Sequence, residues 1–294
     1  MARTMAAGIN EEGESEYFNI LKAAIEERTG VLITPDRERA LYSLLAQRIK
    51  ELDCTDIDQY LVNVLHTVSG AQEWSSLVDS LLIKETSFFR HSSSMEFVQH
   101  WIDDGLAKKT LTSPIWLWSL GCSTGEEAYS LAIIVEQAMA AAGQELRYGI
   151  IGTDISREAI GHARRGIYRE SKMAKLDQQI KETYFDQVGQ TLWRVKADVR
   201  RRVCFLNSNI LTDKSPLIRR KMHLIYCQNM LVYFRRWKRR EIVNQLSNHL
   251  DNQGCLIVGL GELSGWVPNG FARAATRTVQ AYIKTDNSEQ GEAQ

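Results

Sequence analysis

The sequence is poor in the residues that form disulfide frameworks and metal sites. Its 294 residues include only five cysteines and six histidines. The cysteines are odd in number and scattered, and no two of them form a C-x-x-C pair. This pattern argues against a zinc site and favours a reducing compartment. We therefore expect no bound metal.

Charge of one sign and long apolar runs are also missing. The 36 basic residues balance the 36 acidic residues, so the formal net charge is zero and no overall field favours nucleic acid or an anionic membrane. No apolar run reaches the roughly 18 residues that a membrane span needs. The polar stretch from Met1 to Ser15 lacks the apolar core of a signal peptide. These absences predict a cytoplasmic protein without membrane insertion or nucleic-acid binding. We also expect a monomer.

A glycine turn stands between an apolar segment of strand length, Ile115 to Leu120, and a helix-forming segment, Ala128 to Met139. The order strand, glycine turn, helix is typical of a cofactor-binding loop. Gly121 and Gly125 would let the backbone bend tightly and approach a ligand. We therefore predict a cofactor site at this turn.

The acids near the turn indicate which cofactor it holds. Glu126 and Glu127 stand where a phosphate-binding loop would carry a lysine. Two carboxylates repel a pyrophosphate and suit a ligand with positive charge, such as S-adenosylmethionine with its ammonium and sulfonium. Alternatively, they are ordinary acids of a helix first turn, which the helix dipole favours.

Asp154 follows the next predicted strand, Tyr148 to Thr153. An acid at this position can bind both ribose hydroxyls of an adenosine. It could also cap the helix that begins near Ser156. A glycine turn plus one acid is a weak fingerprint, because NAD-dependent enzymes share it.

Four ordered segments make the resemblance specific. Together they resemble the CheR family of chemoreceptor glutamate methyltransferases, over roughly residues 15 to 285, and within it the PilK type that is attached to type IV pilus chemosensing. The segments are Thr86 to Arg90, Ser119 to Ser130, Thr153 to Ala163 with Gly166 to Tyr168, and Tyr226 to Phe234.

The resemblance implies an α/β fold with a Rossmann-like S-adenosylmethionine methyltransferase domain. Residues 1–85 read as helical, whereas strands and helices alternate from Ile115 onward, as in a parallel sheet covered on both faces. The predicted organisation is a disordered tail (1–14), a small helical domain (15–85), a linker helix (86–110), the sheet domain (111–285) and a second disordered tail (286–294). The predicted sheet strands are Ile115–Leu120, Leu146–Thr153, Val203–Leu206, His223–Cys227 and Cys255–Gly259, with an antiparallel pair at Ala272–Thr276 and Thr278–Lys284.

A small β-subdomain is predicted as an insertion at about residues 169–202. After a polar helix, Ala174 to Tyr184, the stretch Phe185 to Val195 has a period near two, and Gly189-Gln190 forms a turn. In some members of the CheR family this subdomain binds a receptor's tether peptide by strand addition. The alternative is a structural hairpin with no partner.

The activity implied by the resemblance is methyl transfer from S-adenosylmethionine to a glutamate of a methyl-accepting chemoreceptor's cytoplasmic domain. The products would be a glutamate methyl ester and S-adenosylhomocysteine. Arg90 and Tyr233 are the candidate catalytic residues that align the glutamate. The alternatives are an interdomain salt bridge for Arg90 and a packed core tyrosine for Tyr233.

The cofactor-binding residues combine the turn glycines with positions carried over from the family pattern. Lys84 stands where the family often has asparagine, and Gln228 where it has arginine. Either the charge has moved from one pocket wall to the other, or the chain is a catalytically weak homologue that binds S-adenosylmethionine or docks on receptors. The predicted residues are Lys84, Thr86, Arg90, Gly121, Gly125, Glu127, Asp154, Asn209, Ile210, Gln228 and Asn229.

The densest basic cluster, Arg235 to Arg240, contains Trp237. An aromatic among cations can indicate nucleic-acid binding. Because the chain carries no net charge, the favoured interpretation is the solvated face of an amphipathic helix, Trp237 to Leu250.

Overall fold

The computed structural model describes residues 11–66, 70–82, 85–145, 147–212 and 220–285. The chain divides into two compact units, Met1–Ile83 and Lys84–Gln294. Lys84, Leu146 and the C-terminal tail at 286–294 lie outside the described residues, as do the first ten residues of the N-terminal tail.

The first unit is helical, as predicted. Its core contains Leu21, Leu41 and Leu77, all fully buried. Glu73 links three of the helices, since it accepts hydrogen bonds from the Tyr60 hydroxyl at 2.8 Å and from Arg48 Nε at 2.9 Å. The helices are α1 (Glu11–Thr29), α2 (Pro35–Glu51), α3 (Ile57–His66) and α4 (Gly70–Leu81).

The second unit is built on a mixed sheet of seven strands in the order β6-β2-β1-β7-β8-β10-β9. The first five strands in that order are mutually parallel, so their carboxyl ends share one edge. The last two are antiparallel to their neighbours, as predicted. The strands are β1 (Ile115–Leu120), β2 (Tyr148–Asp154), β6 (Val203–Asn207), β7 (Met222–Cys227), β8 (Leu250–Val258), β9 (Phe271–Arg273) and β10 (Gln280–Lys284).

The strand order reverses between β1 and β7, which is where ligands bind in sheets of this kind. β8 is longer than predicted, because it begins at Leu250 rather than Cys255. Its first half includes the polar residues Asp251 to Gln253, so this half of the strand does not form an apolar run in the sequence. β9 ends at Arg273, so it is shorter than the predicted strand.

Helices cover both faces of the sheet. The residues of β1 alternate between two apolar clusters: Ile115 and Leu117 belong to one and Trp118 to the other. The first cluster includes residues of α5 and α6, and the second includes residues of α10. The helices of this unit are α5 (Ser92–Ala107), α6 (Glu126–Ala141), α7 (Arg157–Arg165), α8 (Gln178–Tyr184), α9 (Ala197–Arg200) and α10 (Arg236–Ser247).

The predicted β-subdomain is a separate antiparallel sheet of three strands, in the order β3-β5-β4. Its hairpin turns at Gly189-Gln190, where Val188 N donates to Leu192 O at 2.9 Å. The preceding helix is shorter than predicted: α8 begins after Asp177, whose side chain caps it. The strands are β3 (Ile167–Arg169), β4 (Phe185–Gln187) and β5 (Leu192–Val195).

Within the described ranges, no helix combines the length and the apolar character needed to cross a membrane. All five cysteines are free thiols.

Candidate active site

The glycine turn after β1 has a backbone that only glycine fits. Gly121 has a φ of 75° and Gly125 a φ of 96°, both in the left-handed region. A Cβ on Gly121 would lie 2.9 Å from Met230 Cγ, and one on Gly125 would lie 2.7 Å from Ala163 Cβ. The turn is tied to β2, because Gly121 N donates to Thr153 O at 2.8 Å.

The two glutamates of the turn have different surroundings. Glu126 is fully buried and accepts a 2.6 Å hydrogen bond from Thr124 Oγ1. Glu127 is partly buried and accepts a 2.7 Å hydrogen bond from Ser119 Oγ. Burial raises the pKa of Glu127 to about 8, against the opposing effects of the Ser119 hydrogen bond and the Arg90 charge. Glu127 is therefore the acid that shares an electrostatic environment with Arg90.

Asp154 ends β2 and faces the same turn. One carboxylate oxygen accepts from Ser123 N and the other from Ser156 N, both at 2.8 Å. The cap of α7 is Ser156, whose hydroxyl accepts from Ala159 N at 3.0 Å, so Asp154 is not the capping residue. The negative charge of Asp154 also raises the pKa of Glu127, which places the two acids in one electrostatic environment.

One buried polar atom of the turn makes no hydrogen bond within the described residues. Ser123 has a left-handed backbone, with a φ of 49°, and its Oγ is buried and makes no hydrogen bond to any described residue. An orphaned buried hydroxyl costs free energy unless a ligand or water satisfies it. The turn therefore offers an unused hydroxyl beside two carboxylates.

After β6, the side chain of Asn209 forms a hydrogen bond within its own loop, since its Oδ1 accepts from Leu211 N at 3.0 Å. Ile210 is partly buried against the second apolar cluster. Both residues follow a strand whose carboxyl end lies at the shared edge, and the cofactor contact predicted for them stays a prediction.

The segment Thr86 to Arg90 is anchored by aromatic packing. Phe88 is fully buried, with ring centroids 4.9 Å from Tyr168 and 5.2 Å from Phe185. Thr86 O accepts from Lys172 Nζ at 2.6 Å. Arg90 is partly buried, and its Nη1 donates to Glu85 O. The small sheet thus supports the segment that carries the predicted catalytic arginine.

The carboxyl end of β7 carries Gln228 and Asn229. Gln228 is 8% exposed, and its Nε2 donates to Ser94 Oγ of α5 at 2.8 Å. Asn229 has a φ of 58°, and its side chain acts to raise the pKa of His91. Burial and the Arg90 charge lower the pKa of His91. Neither Ser94 nor His91 was predicted as a partner of these residues, since nothing in the local sequence pattern connects α5 to β7.

Tyr233 lies on a 3-10 turn, Leu231–Tyr233, that two charged side chains clamp. The buried Glu262 accepts from Val232 N at 2.9 Å and from Gly259 N at 2.8 Å. Arg239 donates to Phe234 O at 2.8 Å and to Val232 O at 3.2 Å. Tyr233 itself is partly buried and packs against the second apolar cluster.

The roles of Glu262 and Arg239 were not predicted from the sequence either. A signal for Glu262 was present, because it follows a strand as Asp154 does. Arg239 was indistinguishable from its basic neighbours in the sequence.

Two family descriptions match the chain. "CheR methyltransferase, SAM binding domain" matches residues 84–278, and "CheR methyltransferase, all-alpha domain" matches residues 16–82. The chain belongs to the CheR methyltransferase family. The resemblance found in the sequence is thereby confirmed at the level of the family.

Curated relatives of this CheR chain include chemotaxis protein methyltransferases. The one from Borreliella burgdorferi is 29% identical over 79% of the chain and 83% of its own length. The one from Escherichia coli K12 is 27% identical over 84% of each protein. A probable biofilm formation methyltransferase, WspC of Pseudomonas putida, is 30% identical over 89% of the chain and 60% of its own length.

The cofactor of this family's domain is S-adenosylmethionine, as predicted. The residues at the turn fit it: Glu127 and Asp154 suit a cationic ligand with ribose hydroxyls, and Ser123 adds an unused hydroxyl. Across the described ranges, no group of three or more histidines, cysteines or acids has the arrangement of a metal site.

Proposed function

We propose that this protein methylates glutamate side chains in the cytoplasmic domain of a methyl-accepting chemoreceptor, giving methyl esters in chemosensory adaptation. The observation that carries the proposal is the placement of Arg90: in a CheR chain, it lies within electrostatic reach of Glu127 at the cofactor turn. The charge of Arg90 acts on the acid proposed for the cofactor, which supports a role for this guanidinium in binding a substrate carboxylate.

The chemistry requires alignment rather than a general base. S-adenosylmethionine supplies a methyl carbon that a carboxylate oxygen attacks while the bond to sulfur breaks and its electron pair stays on sulfur. A glutamate is already ionised at pH 7, so no proton has to be removed before the attack. The task of the protein is to hold the carboxylate in line and to exclude water.

Arg90 and Tyr233 are the proposed aligning residues. Arg90 donates one hydrogen bond to Glu85 O, whereas a guanidinium has five N–H donors in a fixed fork. Tyr233 is held on a clamped turn at the same edge of the sheet. The remaining proposed contacts to the cofactor come from the predicted set, with Gly121, Gly125, Glu127 and Asp154 at its centre.

The test is an assay with methyl-labelled S-adenosylmethionine and membranes that contain chemoreceptors from the same organism. Label that appears in the receptor band and is released by mild alkali identifies a glutamate methyl ester. Label that resists alkali, or that enters RNA or small molecules instead, would reject the proposal. Parallel membranes from a strain without pilus chemoreceptors test whether the substrate belongs to the type IV pilus system.

A second candidate is a homologue that binds the cofactor or docks on receptors without efficient catalysis. It is favoured by Gln228, whose side chain is engaged with Ser94 and carries no charge. This candidate predicts cofactor binding without label transfer to any receptor. Introducing Gln228→Arg should then restore transfer, whereas an active parent excludes the candidate.

A further inference from the structure

The start of α10 concentrates positive charge where a helix tolerates it poorly. Residues 235–240 contain five cations and one tryptophan. The first turn of α10 carries no acidic residue. The amino end of a helix already has a partial positive charge, so acids are favoured there and cations are not. The basic cluster therefore lowers the stability of the amino end of α10.

Some exposed basic residues elsewhere in the second unit pair with an acid one helical turn away. Arg201 pairs with Asp198, and Lys108 pairs with Asp104. At the start of α10, Lys238 pairs in the same way with Glu241 at 2.9 Å.

Three arginines of this cluster, Arg236, Arg239 and Arg240, contact neutral groups. Arg236 Nη2 donates to Ser264 O at 3.0 Å, and Arg239 donates to Phe234 O at 2.8 Å. The guanidinium of Arg240 lies 5.4 Å from the ring centroid of Trp266. These contacts fix the direction of each guanidinium without cancelling its charge.

The three guanidinium groups line a cavity of about 220 Å³, here named the arginine cavity, together with residues 261–264 and Trp266. The one carboxylate in its wall belongs to Glu262, and each of its oxygens accepts a hydrogen bond from a backbone N–H group. A second cavity of about 340 Å³ shares Trp266 and adds the exposed Leu260 and Val267. The arginine cavity therefore adjoins a cavity, here named its apolar neighbour, whose lining combines these exposed apolar side chains with Arg273 and Gln280.

The arginine cavity lies beside the turn that carries Tyr233. Arg239 Nη2 donates to Val232 O at 3.2 Å, and Glu262 Oε1 accepts from Val232 N at 2.9 Å. Val232 directly precedes Tyr233, and its own side chain is 51% exposed. Under the proposed function, Tyr233 aligns the glutamate of the receptor substrate. The receptor residues next to that glutamate would then lie at this surface.

We infer that the arginine cavity and its apolar neighbour bind an acidic, amphipathic segment of the protein substrate next to the methylated glutamate. The inference rests on the proposed function and extends it to the choice of substrate. Carboxylates of the segment pair with Arg236 and Arg240, for which the guanidinium fork is suited. Apolar side chains of the segment contact Leu260 and Val267.

Nucleic acid is the less suitable occupant of this surface. Single strands bind by stacking bases on aromatic faces. Here Arg240 lies against Trp266 at 5.4 Å and Lys238 against Trp237 at 5.5 Å, so cations already cover a face of each ring.

The test uses the full chain and a fluorescein-labelled synthetic peptide that forms a helix with glutamates on one face and leucines on the other. A matched peptide carries glutamine for every glutamate. Binding is followed by anisotropy at low and high salt, and a single-stranded oligonucleotide is titrated in parallel. The variant is Arg236→Ala/Arg240→Ala; Arg239 is retained because it clamps the Tyr233 turn. The control, Arg165→Ala/Arg201→Ala, removes two exposed cations elsewhere.

We expect the acidic peptide to bind the parent and the control variant alike, and the Arg236→Ala/Arg240→Ala variant at least tenfold more weakly. The glutamine peptide should bind as poorly as that variant does, and the affinity of S-adenosylmethionine should stay within twofold. Arg240→Gln alone, which leaves the Arg236 contact in place, should lose several-fold. Equal peptide binding by parent and variant would overturn the inference, and so would tighter, arginine-dependent binding of the oligonucleotide.

The methylation assay separates this inference from the proposed function. Receptor methylation with an unchanged KM in the Arg236→Ala/Arg240→Ala variant would reject the docking surface and leave the function standing. Arginine-dependent peptide binding by a parent that forms no methyl ester would reject the function and support the surface.

Discussion

The two halves of the sheet's carboxyl edge differ in charge. On the side of β1 and β2, the turns present Glu127 and Asp154. On the side of β7 and β8, the exposed charges are the arginines at the start of α10. A methyl transfer from a sulfonium to a carboxylate needs one ligand of each sign, and the division of charge along one edge matches that need.

The halves also differ in what holds them in shape. The turn after β1 relies on glycine backbone conformations and on hydrogen bonds to Thr153 O. The turn after β7 relies on the side chains of Glu262 and Arg239, which reach it from other elements. We therefore expect substitutions in the two halves to have separable effects on cofactor and on substrate.

Under the proposed function, Arg90 serves both cofactor and substrate, so its removal should have the largest effect. Arg90→Ala deletes the proposed donor for the substrate carboxylate, and the rate of methyl transfer at saturating cofactor should fall by about 10²–10³-fold. Thermal melting should stay close to that of the parent. Arg90→Lys, which keeps the charge without the fork, should recover part of the rate. A parental rate in Arg90→Ala would leave Arg90 with only its contact to Glu85.

The acidic half should bind its cofactor in a pH-dependent way. The pKa of Glu127 is raised to about 8 by burial, so the carboxyl is largely protonated at pH 7 in the free protein. A cationic ligand favours the ionised form, so binding should release a proton and strengthen by up to about tenfold per pH unit as the pH rises toward 8. Calorimetry in buffers of different ionisation enthalpy measures the released proton.

Glu127→Gln is the matched control, and it should abolish both the proton release and the slope. The same shift has a consequence for the free protein. Since the folded-state pKa lies above the unfolded value, the contribution of this carboxyl to stability is full below the unfolded pKa and is lost as the pH rises through about 8. A pH-independent affinity in the parent would contradict the assignment of Glu127.

Glu262→Gln tests whether the basic half depends on its clamp. An amide has one acceptor oxygen, so Val232 N or Gly259 N loses its partner, at a cost of about 1–3 kcal/mol in the free energy of unfolding. If Glu262 acts through the turn, its effect on kcat should be non-additive with that of Tyr233→Phe. Glu136→Gln, which disturbs the Tyr148 hydroxyl instead, is the control and should combine additively.

The smallest effect on cofactor binding is expected in the small sheet. Leu192 is 39% exposed on β5, so Leu192→Ala should leave the affinity of S-adenosylmethionine within twofold and reduce receptor engagement by a few-fold. Deleting the whole hairpin is a poorer test, because Phe185 supports Phe88 and the Thr86 to Arg90 segment. A large loss of cofactor affinity in a folded Leu192→Ala protein would contradict a separate role for this sheet.

The same contrast between the two halves explains which features could be predicted from the sequence alone. Positions that depend on the local chain were predictable: Gly121 and Gly125 indicate a tight turn whatever surrounds them, and β1 was predicted to its last residue. Glu262 and the partnership of Gln228 with Ser94 depend on residues 30 and 134 positions away, and no local pattern encodes such distances.

Charge alone was also ambiguous in the sequence. The cluster at 235–240 was interpreted as a solvated helix face, because a basic run gives no information about its neighbours. Only the fold places Arg236, Arg239 and Arg240 around a cavity beside Tyr233. The role of Lys84 stays a prediction, since it lies outside the described residues.

The central claim is that the carboxyl edge of the sheet has an acidic half that binds the cofactor and a basic half that does not. Its most direct test is the dissociation constant of S-adenosylmethionine, measured by calorimetry in two variants side by side. Asp154→Ala removes a charged partner from the acidic half, at a cost on the order of 1.5–3 kcal/mol, which corresponds to a roughly tenfold to hundredfold weaker affinity. Arg236→Ala/Arg240→Ala should leave the constant within twofold. Equal losses in the two variants, or a loss confined to the arginine variant, would contradict the assignment of the cofactor to the acidic half.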